Sequence, residues 1–114
     1  MTIVLVEPLR PPVVREIADS LAALQKAVGG LIQAVYPFED DPELLLLCHE
    51  EGKLLGLPLN RALRDEDGRI YDVIAGTFFL CAAPADSESF QSLSPEQIRF
   101  RLDRFRHPEV FLPG

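Results

Sequence analysis

The residue types that can do chemistry are concentrated between Cys48 and Arg61. This stretch contains a cysteine, a histidine, two glutamates, a lysine, an asparagine and an arginine. A nucleophilic cysteine needs a histidine within hydrogen-bonding reach to hold it as a thiolate. Cys48 and His49 are neighbours in a predicted strand, where adjacent side chains point to opposite faces, so they cannot form that dyad. We expect Cys48 to be an inert core residue.

Metal and phosphate sites are incomplete in the same stretch. His49 precedes Glu50 and Glu51 but lacks the second histidine of a zinc-binding helix. Gly52-Lys53 lacks the upstream glycine of a phosphate-binding loop, and a leucine stands where that loop has a hydroxyl residue. The sequence therefore predicts no metal, no cofactor and no catalytic residues, which favours a non-enzymatic protein.

Six polar residues remain as a candidate ligand site or structural polar brace. Asn60 and Arg61 lie in a leucine-rich segment, so at least one of them should be partly buried. A buried guanidinium needs carboxylate or carbonyl partners, and we expect Arg61 to pair with Asp72 or Glu51. If the residues instead surround a pocket, the protein is a small enzyme or ligand binder. The set is Glu50, Glu51, Lys53, Asn60, Arg61 and Asp72.

The composition is that of an acidic globular protein. Its 114 residues, 47% apolar and 25% charged, suffice for one core. We expect a single domain over residues 1–114, with residues 107–114 as a C-terminal tail. The formal net charge of -7 repels phosphate backbones and anionic lipid, so direct nucleic-acid binding is not expected.

The expected cellular location of the protein follows from the absence of a predicted membrane span and of a basic leader. No apolar run approaches the roughly 20 residues that span a bilayer, and the first residues carry no basic leader. The two cysteines, Cys48 and Cys81, lie in apolar runs without zinc-ligand spacing. We therefore expect a cytoplasmic protein with no membrane partner.

Hydrophobic periodicity predicts a strand, a helix and a second strand in the first third of the chain. Thr2–Val6 is a short β-branched run. Apolar residues at spacings of three and four predict an amphipathic helix over about residues 13–28. Gly29-Gly30 ends that helix, and residues 31–38 alternate as a strand.

The middle of the chain is dominated by leucine. Four consecutive leucines in Leu44–His49 predict a strand that is buried on both faces and central in its sheet. Gly56 and Pro58 disfavour a long strand over residues 54–63. We expect a short extended piece there, followed by one helical turn around residues 59–63.

The remaining elements complete an α+β pattern. Residues 70–74 and 76–82 predict one or two further strands. Ser94-Pro95-Glu96-Gln97 is a helix start with an N-cap serine, and the final helix should cover about residues 95–106. The order of elements predicts a mixed or mainly antiparallel sheet of four to five strands, with two main helices packed on it.

The final helix is the basic part of an acidic protein. Residues 95–114 carry four arginines against three acidic residues. This distribution predicts a surface for an acidic protein partner or for the acidic face of a second copy, although arginines near a helix C-terminus also complement its dipole. Phe100 lies off the apolar stripe and favours a contact surface. The candidate surface is Arg99, Phe100, Arg101, Arg104 and Arg106.

The acidic composition leaves an alternative open, that of a DNA mimic of the anti-restriction type. Residues 39–43 and 65–67 would supply carboxylates in place of phosphates. Such a mimic needs rows of carboxylates at a spacing of roughly 7 Å or less. Only 18 of the 114 residues are acidic, which is modest for that role.

Four short motifs occur between the first helix and the last predicted strand. They are Val28-Gly29-Gly30, Glu50-Glu51-Gly52-Lys53-Leu54, Leu57-Pro58-Leu59-Asn60-Arg61 and the run from Asp72 to Phe79. Together they resemble an uncharacterised family of bacteria, phages and integrative mobile elements, known as domain of unknown function 3846. The resemblance covers most of the chain and implies a mobile-element setting but no reaction. We therefore expect a non-enzymatic accessory or protein-interaction domain of a phage or integrative mobile element.

Overall fold

Seven strands and two helices make up the computed structural model, which describes residues 1–112. They are β1 (Thr2–Val6), β2 (Val13–Glu16), α1 (Leu21–Val28), β3 (Ile32–Val35), β4 (Leu44–His49), β5 (Leu59–Arg64), β6 (Ile70–Ala75), β7 (Phe78–Ala82) and α2 (Pro95–Arg104). Five strands form one antiparallel sheet in the order β2-β1-β7-β4-β3, and β5 and β6 form a separate antiparallel pair. The predicted α+β class is confirmed.

The leucines of β4 separate two hydrophobic cores. Leu45 and Leu47 face a core shared with α1, on one side of the sheet. Leu44 and Leu46 face a second core, which they share with the β5–β6 pair and with Phe105 at the end of α2. All four leucines are fully buried, because side chains alternate along a strand whose two faces are both covered. The prediction of burial on both faces is confirmed, and β4 is an interior strand beside the central β7.

The first helix is shorter than predicted. Residues 13–16 form the edge strand β2, paired with β1, instead of the first helical turn. Their β-branched valines favour a strand. Pairing with β1 outweighs the spacing of apolar residues that is compatible with a helix. As a result, Val14 is 43% exposed instead of buried. The helix starts after Ser20, whose side chain accepts a hydrogen bond from the Ala23 N–H as an N-cap. It ends as predicted at Gly29, which has a φ of 85°.

A strand replaces the helical turn predicted around residues 59–63. β5 pairs with β6, and a register shift between Leu59 and Arg61 leaves Asn60 as an extra, bulged residue. A bulge breaks the alternation of side chains along a strand. Asn60 and Arg61 are both 0% exposed, and the next two residues of β5 are buried as well, so both faces of this part of the strand are covered.

The final helix begins as predicted. The Ser94 hydroxyl accepts a hydrogen bond from the Gln97 N–H at 3.1 Å, and the Gln97 side chain accepts one from the Ser94 N–H at 2.9 Å. This is the predicted capping box. At the other end of α2, the Phe105 ring lies edge-on to Phe38 and Phe78, with centroid separations of 6.1 and 5.4 Å. Phe105 thus anchors the end of α2 in the second core.

The segment after α2 returns to β5. The Glu109 carboxylate accepts a hydrogen bond from the Ala62 N–H and contacts Arg64, each at 3.1 Å. The predicted tail over residues 107–114 is therefore in contact with the domain at Glu109, while residues 113–114 lie outside the described residues.

Candidate functional site

Asn60 is at the buried polar centre of the structure. Its side-chain amide donates hydrogen bonds to the carbonyl oxygens of Val6 and Gly76, both at 2.9 Å. These bonds tie β5 to the end of β1 and to the turn between β6 and β7. Gly76 has a φ of 84°, and a Cβ there would lie 2.8 Å from Leu57 Cδ1. Only glycine fits this turn without strain.

The Arg61 guanidinium is held by carbonyl oxygens. Nε and one terminal nitrogen donate to the Phe105 carbonyl at 3.2 and 3.1 Å, and the same terminal nitrogen donates to the Arg10 carbonyl at 2.6 Å. The other terminal nitrogen donates to the main-chain and side-chain oxygens of Asn60 at 3.3 and 2.8 Å. These bonds use all five donors of the guanidinium. Burial lowers the pKa of Arg61, and the nearby Glu109 charge opposes that shift.

The expected pairing of Arg61 with Asp72 or Glu51 is wrong. Asp72 pairs with Lys53 at the surface, and Glu51 is exposed in the turn after β4. Because Arg61 lies on a bulged strand instead of a helical turn, its side chain points to the interior and to the end of α2. Its donors are occupied, so Asn60 and Arg61 connect β1, β5 and α2 and offer no free N–H to a ligand.

Part of the remaining polar set lines a small cavity beside β4. Glu50, Lys53 and Asp72 line this cavity, whose volume is ≈ 210 Å³. Asn60, Arg61 and Glu51 do not line it. The structure therefore divides the predicted set into an interior pair, a surface group of three and the separate Glu51, instead of bringing all six together.

Cys48 and His49 border the same cavity without contacting each other. Cys48 is almost fully buried, and its Sγ lies 3.8 Å from the Gln33 carbonyl oxygen. His49 Nδ1 accepts a hydrogen bond from the Glu51 N–H at 3.0 Å. The histidine nitrogen that could serve as a base is therefore occupied by the main chain, and the pair is not a nucleophilic dyad.

The two thiols should be unreactive in the folded protein. Burial raises the pKa of Cys48, with Asp72 adding to the effect, and burial raises the pKa of Cys81 to about 12. At about pH 8 both side chains remain protonated, and the thiolate is the reactive form. We predict that iodoacetamide leaves both unmodified in the native protein and alkylates both in guanidinium chloride, as measured by mass spectrometry. Modification of native Cys48 as fast as that of the denatured chain would contradict this.

The five residues of the predicted partner surface border two different cavities. Arg99, Phe100 and Arg106 border one cavity, and Arg101 and Arg104 border another. The five residues therefore do not form one continuous surface.

The first face is a groove between α2 and the loop before β2. The groove has a volume of ≈ 660 Å³ and includes Pro11-Pro12 and Phe100, which is 58% exposed. Arg106 pairs with Asp103 at 2.8 Å, whereas Arg99 makes no ion pair within residues 1–112. We call this the Phe100 groove. It combines an exposed aromatic ring with an unpaired cation.

The second face is a wider cleft between α2, the segment after β3 and the β5–β6 pair. Its volume is ≈ 770 Å³. The Arg101 guanidinium lies over the Phe38 ring at 4.1 Å and contacts Asp40 at 3.4 Å. Arg64, Arg104 and two tyrosines complete its walls. We call this the arginine cleft.

Two acidic segments contribute to the lining of the arginine cleft. The first supplies Glu39 and Asp40, and the second supplies residues 65–67. The arginines lie in the same cleft as these carboxylates. Parts of both acidic segments that motivated the DNA-mimic hypothesis therefore line one cleft, together with three arginines, whereas Asp41 and Glu43 do not line it.

Sequence reasoning missed five residues of the arginine cleft: Arg64, Tyr36, Pro37, Phe38 and Tyr71. Arg64 follows residues 59–63, which were expected to form a helical turn, and instead ends β5, so the direction of its side chain was not predictable. Tyr36 follows β3, and Tyr71 lies on β6. They meet only because the β5–β6 pair packs as a separate layer, and no local signal encodes that packing.

Comparison with known proteins identifies a family but no activity. Within residues 1–112, no cluster of three or more histidine, cysteine or acidic side chains could hold a metal ion, and neither helix is long and apolar enough to cross a membrane. A family model described as Domain of unknown function (DUF3846) matches residues 1–106. No curated protein and no solved structure matches the chain.

Proposed function

Because the chain belongs to the DUF3846 family of domains of unknown function, we propose its function from the geometry. It is a non-enzymatic accessory domain of a phage or integrative mobile element, and it acts by binding a protein. The bacterial or phage setting rests on the resemblance of the sequence motifs. The binding activity rests on the faces of α2.

The observation that carries this proposal is the exposed Phe100 in its groove. Phenylalanine and arginine are enriched at the centres of protein interfaces. An aromatic side chain beside a cavity is typical of residues that dominate binding energy. Phe100 has over half of its surface free to be covered, and Pro11-Pro12 gives the groove a second apolar wall.

Charge complementarity favours an acidic segment as the occupant. Arg99 borders the Phe100 groove without an ion-pair partner in the described chain, while the protein as a whole carries a net charge of -7. An acidic partner is repelled by the rest of the surface and attracted to the basic helix, which orients its approach. A partner segment with one apolar residue flanked by carboxylates fits both features.

Site-specific crosslinking tests the proposal. We expect a photoreactive phenylalanine analogue at position 100 to capture a discrete protein in cells of the source organism. The same analogue at Leu54, which is 88% exposed on a different turn, should not capture it. Phe100→Ala should then weaken binding of the purified partner by roughly 30-fold or more, as expected for a central aromatic residue, whereas Leu54→Ala should not.

Three outcomes would contradict the proposal. The same proteins captured from both positions would indicate unspecific contact. Equal affinity of the wild type and the Phe100→Ala variant would place the interface elsewhere. Light scattering of the purified chain provides the third check: a dimer that Phe100→Ala dissociates would identify the occupant as a second copy instead of a different acidic protein.

The DNA-mimic hypothesis is the second candidate. It is favoured by the convergence of residues 39–40 and 65–67 on the arginine cleft. It is weakened by Arg64, Arg101 and Arg104 in the same cleft, because a mimic needs an uninterrupted row of negative charge. Inhibition of a DNA-binding enzyme that is relieved by Asp65→Asn together with Asp67→Asn would support the mimic over the interaction domain.

A further inference from the structure

Arg104 is a half-buried cation without a counter-charge in contact. The two other arginines of the arginine cleft are paired, Arg101 with Asp40 at 3.4 Å and Arg64 with Glu109 at 3.1 Å. Arg104 lies only over the ring of Phe105, at 4.9 Å, and makes no hydrogen bond or ion pair with the part of the chain that the structure describes. A partly desolvated charge without a partner is unfavourable.

Repulsion among the three guanidinium groups adds to this cost. Burial lowers the pKa of Arg104 and the charge of Arg64 lowers it further; the Glu109 charge opposes this shift, and Arg101 adds a smaller lowering. Arg101 Nε is buried and has no hydrogen-bond partner within residues 1–112. Like charges that converge in a cavity are a feature of sites that bind a ligand of opposite charge. A bound anion would offset the repulsion.

We propose that the arginine cleft binds a small molecule bearing a phosphate group, with the phosphate held by Arg104 and Arg64. A phosphate monoester carries nearly two negative charges, and its oxygens match the planar donor fork of arginine. A carboxylate, with a single charge, offsets less of the repulsion among three cations. The carboxylates of residues 39–40 and 65–67 also line the cleft. They repel a polyanion such as nucleic acid more strongly than a single phosphate group, which favours a ligand with one phosphate.

The cleft also has room and aromatic surface for the rest of the ligand. Tyr36 and Tyr71 are 60% and 54% exposed at its walls. A volume of ≈ 770 Å³ lies within the usual range of small-molecule sites, about 300–1,000 Å³. Aromatic rings at the walls favour a phosphate ester of a planar or aromatic group over free phosphate.

Calorimetric titration at constant ionic strength tests the proposal with three probes: inorganic phosphate, phenyl phosphate and acetate. We expect saturable binding of phosphate, tighter binding of phenyl phosphate and weaker binding of acetate. Arg104→Gln should weaken phosphate binding on the order of 10- to 100-fold, the effect of losing one charge-assisted contact. Arg99→Gln removes the same charge from the same helix outside the cleft, so it should leave the affinity unchanged.

Folding measurements and variants at other positions distinguish loss of phosphate binding from loss of structure. Circular dichroism would establish that Arg104→Gln is folded. Tyr71→Ala removes the aromatic ring and should weaken binding of phenyl phosphate more than binding of phosphate, whereas Tyr71→Phe keeps the ring and should bind both like the wild type. Phe100→Ala should bind phosphate like the wild type, so failure of the protein-binding proposal does not affect this one. Absence of saturable phosphate binding, equal weakening in Arg99→Gln, or acetate binding as tightly as phosphate would each overturn the proposal.

Discussion

Replacing Arg61 by methionine is expected to lower the free energy of unfolding by about 3–5 kcal/mol. The guanidinium is 0% exposed and donates to carbonyl oxygens of Phe105, Arg10 and Asn60. Methionine fills similar space but donates no hydrogen bond, so these buried acceptors lose their partners, and each unsatisfied group costs about 1–3 kcal/mol. Urea unfolding followed by circular dichroism measures the change.

Two further variants distinguish loss of the buried hydrogen bonds from loss of the positive charge. Arg61→Lys keeps the charge but cannot reproduce the planar fork of five donors, so its stability should be intermediate. Arg99→Met makes the same substitution at an exposed position and should change stability by at most about 0.5 kcal/mol. If Arg61→Met cost no more than Arg99→Met, the interior role of Arg61 would be wrong.

Replacing Phe105 by alanine is expected to cost about 3–5 kcal/mol of unfolding free energy, the usual range for a buried phenylalanine. The ring is 1% exposed and packs edge-on against Phe38 and Phe78. Its loss opens a cavity in the second core and loosens the end of α2. Because the Phe105 carbonyl accepts from Arg61, we also expect the effects of Phe105→Ala and Arg61→Met to be non-additive in a double-mutant cycle.

Phe100→Ala is the matched control for this prediction. It makes the same substitution five residues earlier, in α2, at a ring that is 58% exposed, and should cost less than about 1 kcal/mol. Thermal unfolding of the two variants under identical conditions compares them. Equal destabilisation would show that Phe100 is packed in the folded state, which would also contradict the proposed Phe100 groove.

The parts of the fold that the sequence predicted are those with strong local signals. The leucines of β4 can be buried on both faces only if both faces of the sheet are covered. The pattern Ser94-Pro95-Glu96-Gln97 specifies its own capping hydrogen bonds. Gly29 marks the end of α1 because it takes a positive φ without strain. In each case the determining contacts lie within a few residues or follow from the strand period.

The parts that the sequence did not predict depend on pairing with distant residues. Residues 13–16 have apolar spacing compatible with a helix, but β1 lies alongside and makes them a strand. The bulge at Asn60 requires β6 as its partner. Burial of both Asn60 and Arg61 requires that β5 is covered on both faces, and distant residues such as Val6 and Phe105 supply that contact.

In the candidate site, too, local features were predicted and long-range contacts were not. The sequence indicated correctly that Arg61 needed buried partners, but not that these would be main-chain carbonyls at residues 10 and 105. It identified the arginines of α2 but not the residues that α2 faces across the arginine cleft. Such pairings are set by how the β5–β6 pair and α2 pack on the sheet, over separations of tens of residues.

The motifs through which the chain resembles its family therefore have largely structural roles in this protein. Asn60 and Arg61 hold β1, β5 and α2 together, and Gly76 forms the turn that Asn60 binds. The surfaces left for binding lie on the two faces of α2. We propose that binding depends on Phe100 and Arg104, whereas the buried polar residues Asn60 and Arg61 hold the fold together.

Hydrogen exchange of the arginine Nε–H groups, followed by nuclear magnetic resonance, tests this account most directly. The Arg61 Nε–H donates to the Phe105 carbonyl in the interior, whereas Arg99 is exposed on α2. We predict that the Arg61 signal is protected by orders of magnitude relative to Arg99 and exchanges only on opening of the core. Exchange of Arg61 as fast as that of Arg99 would show an accessible guanidinium and contradict the structural role assigned to it.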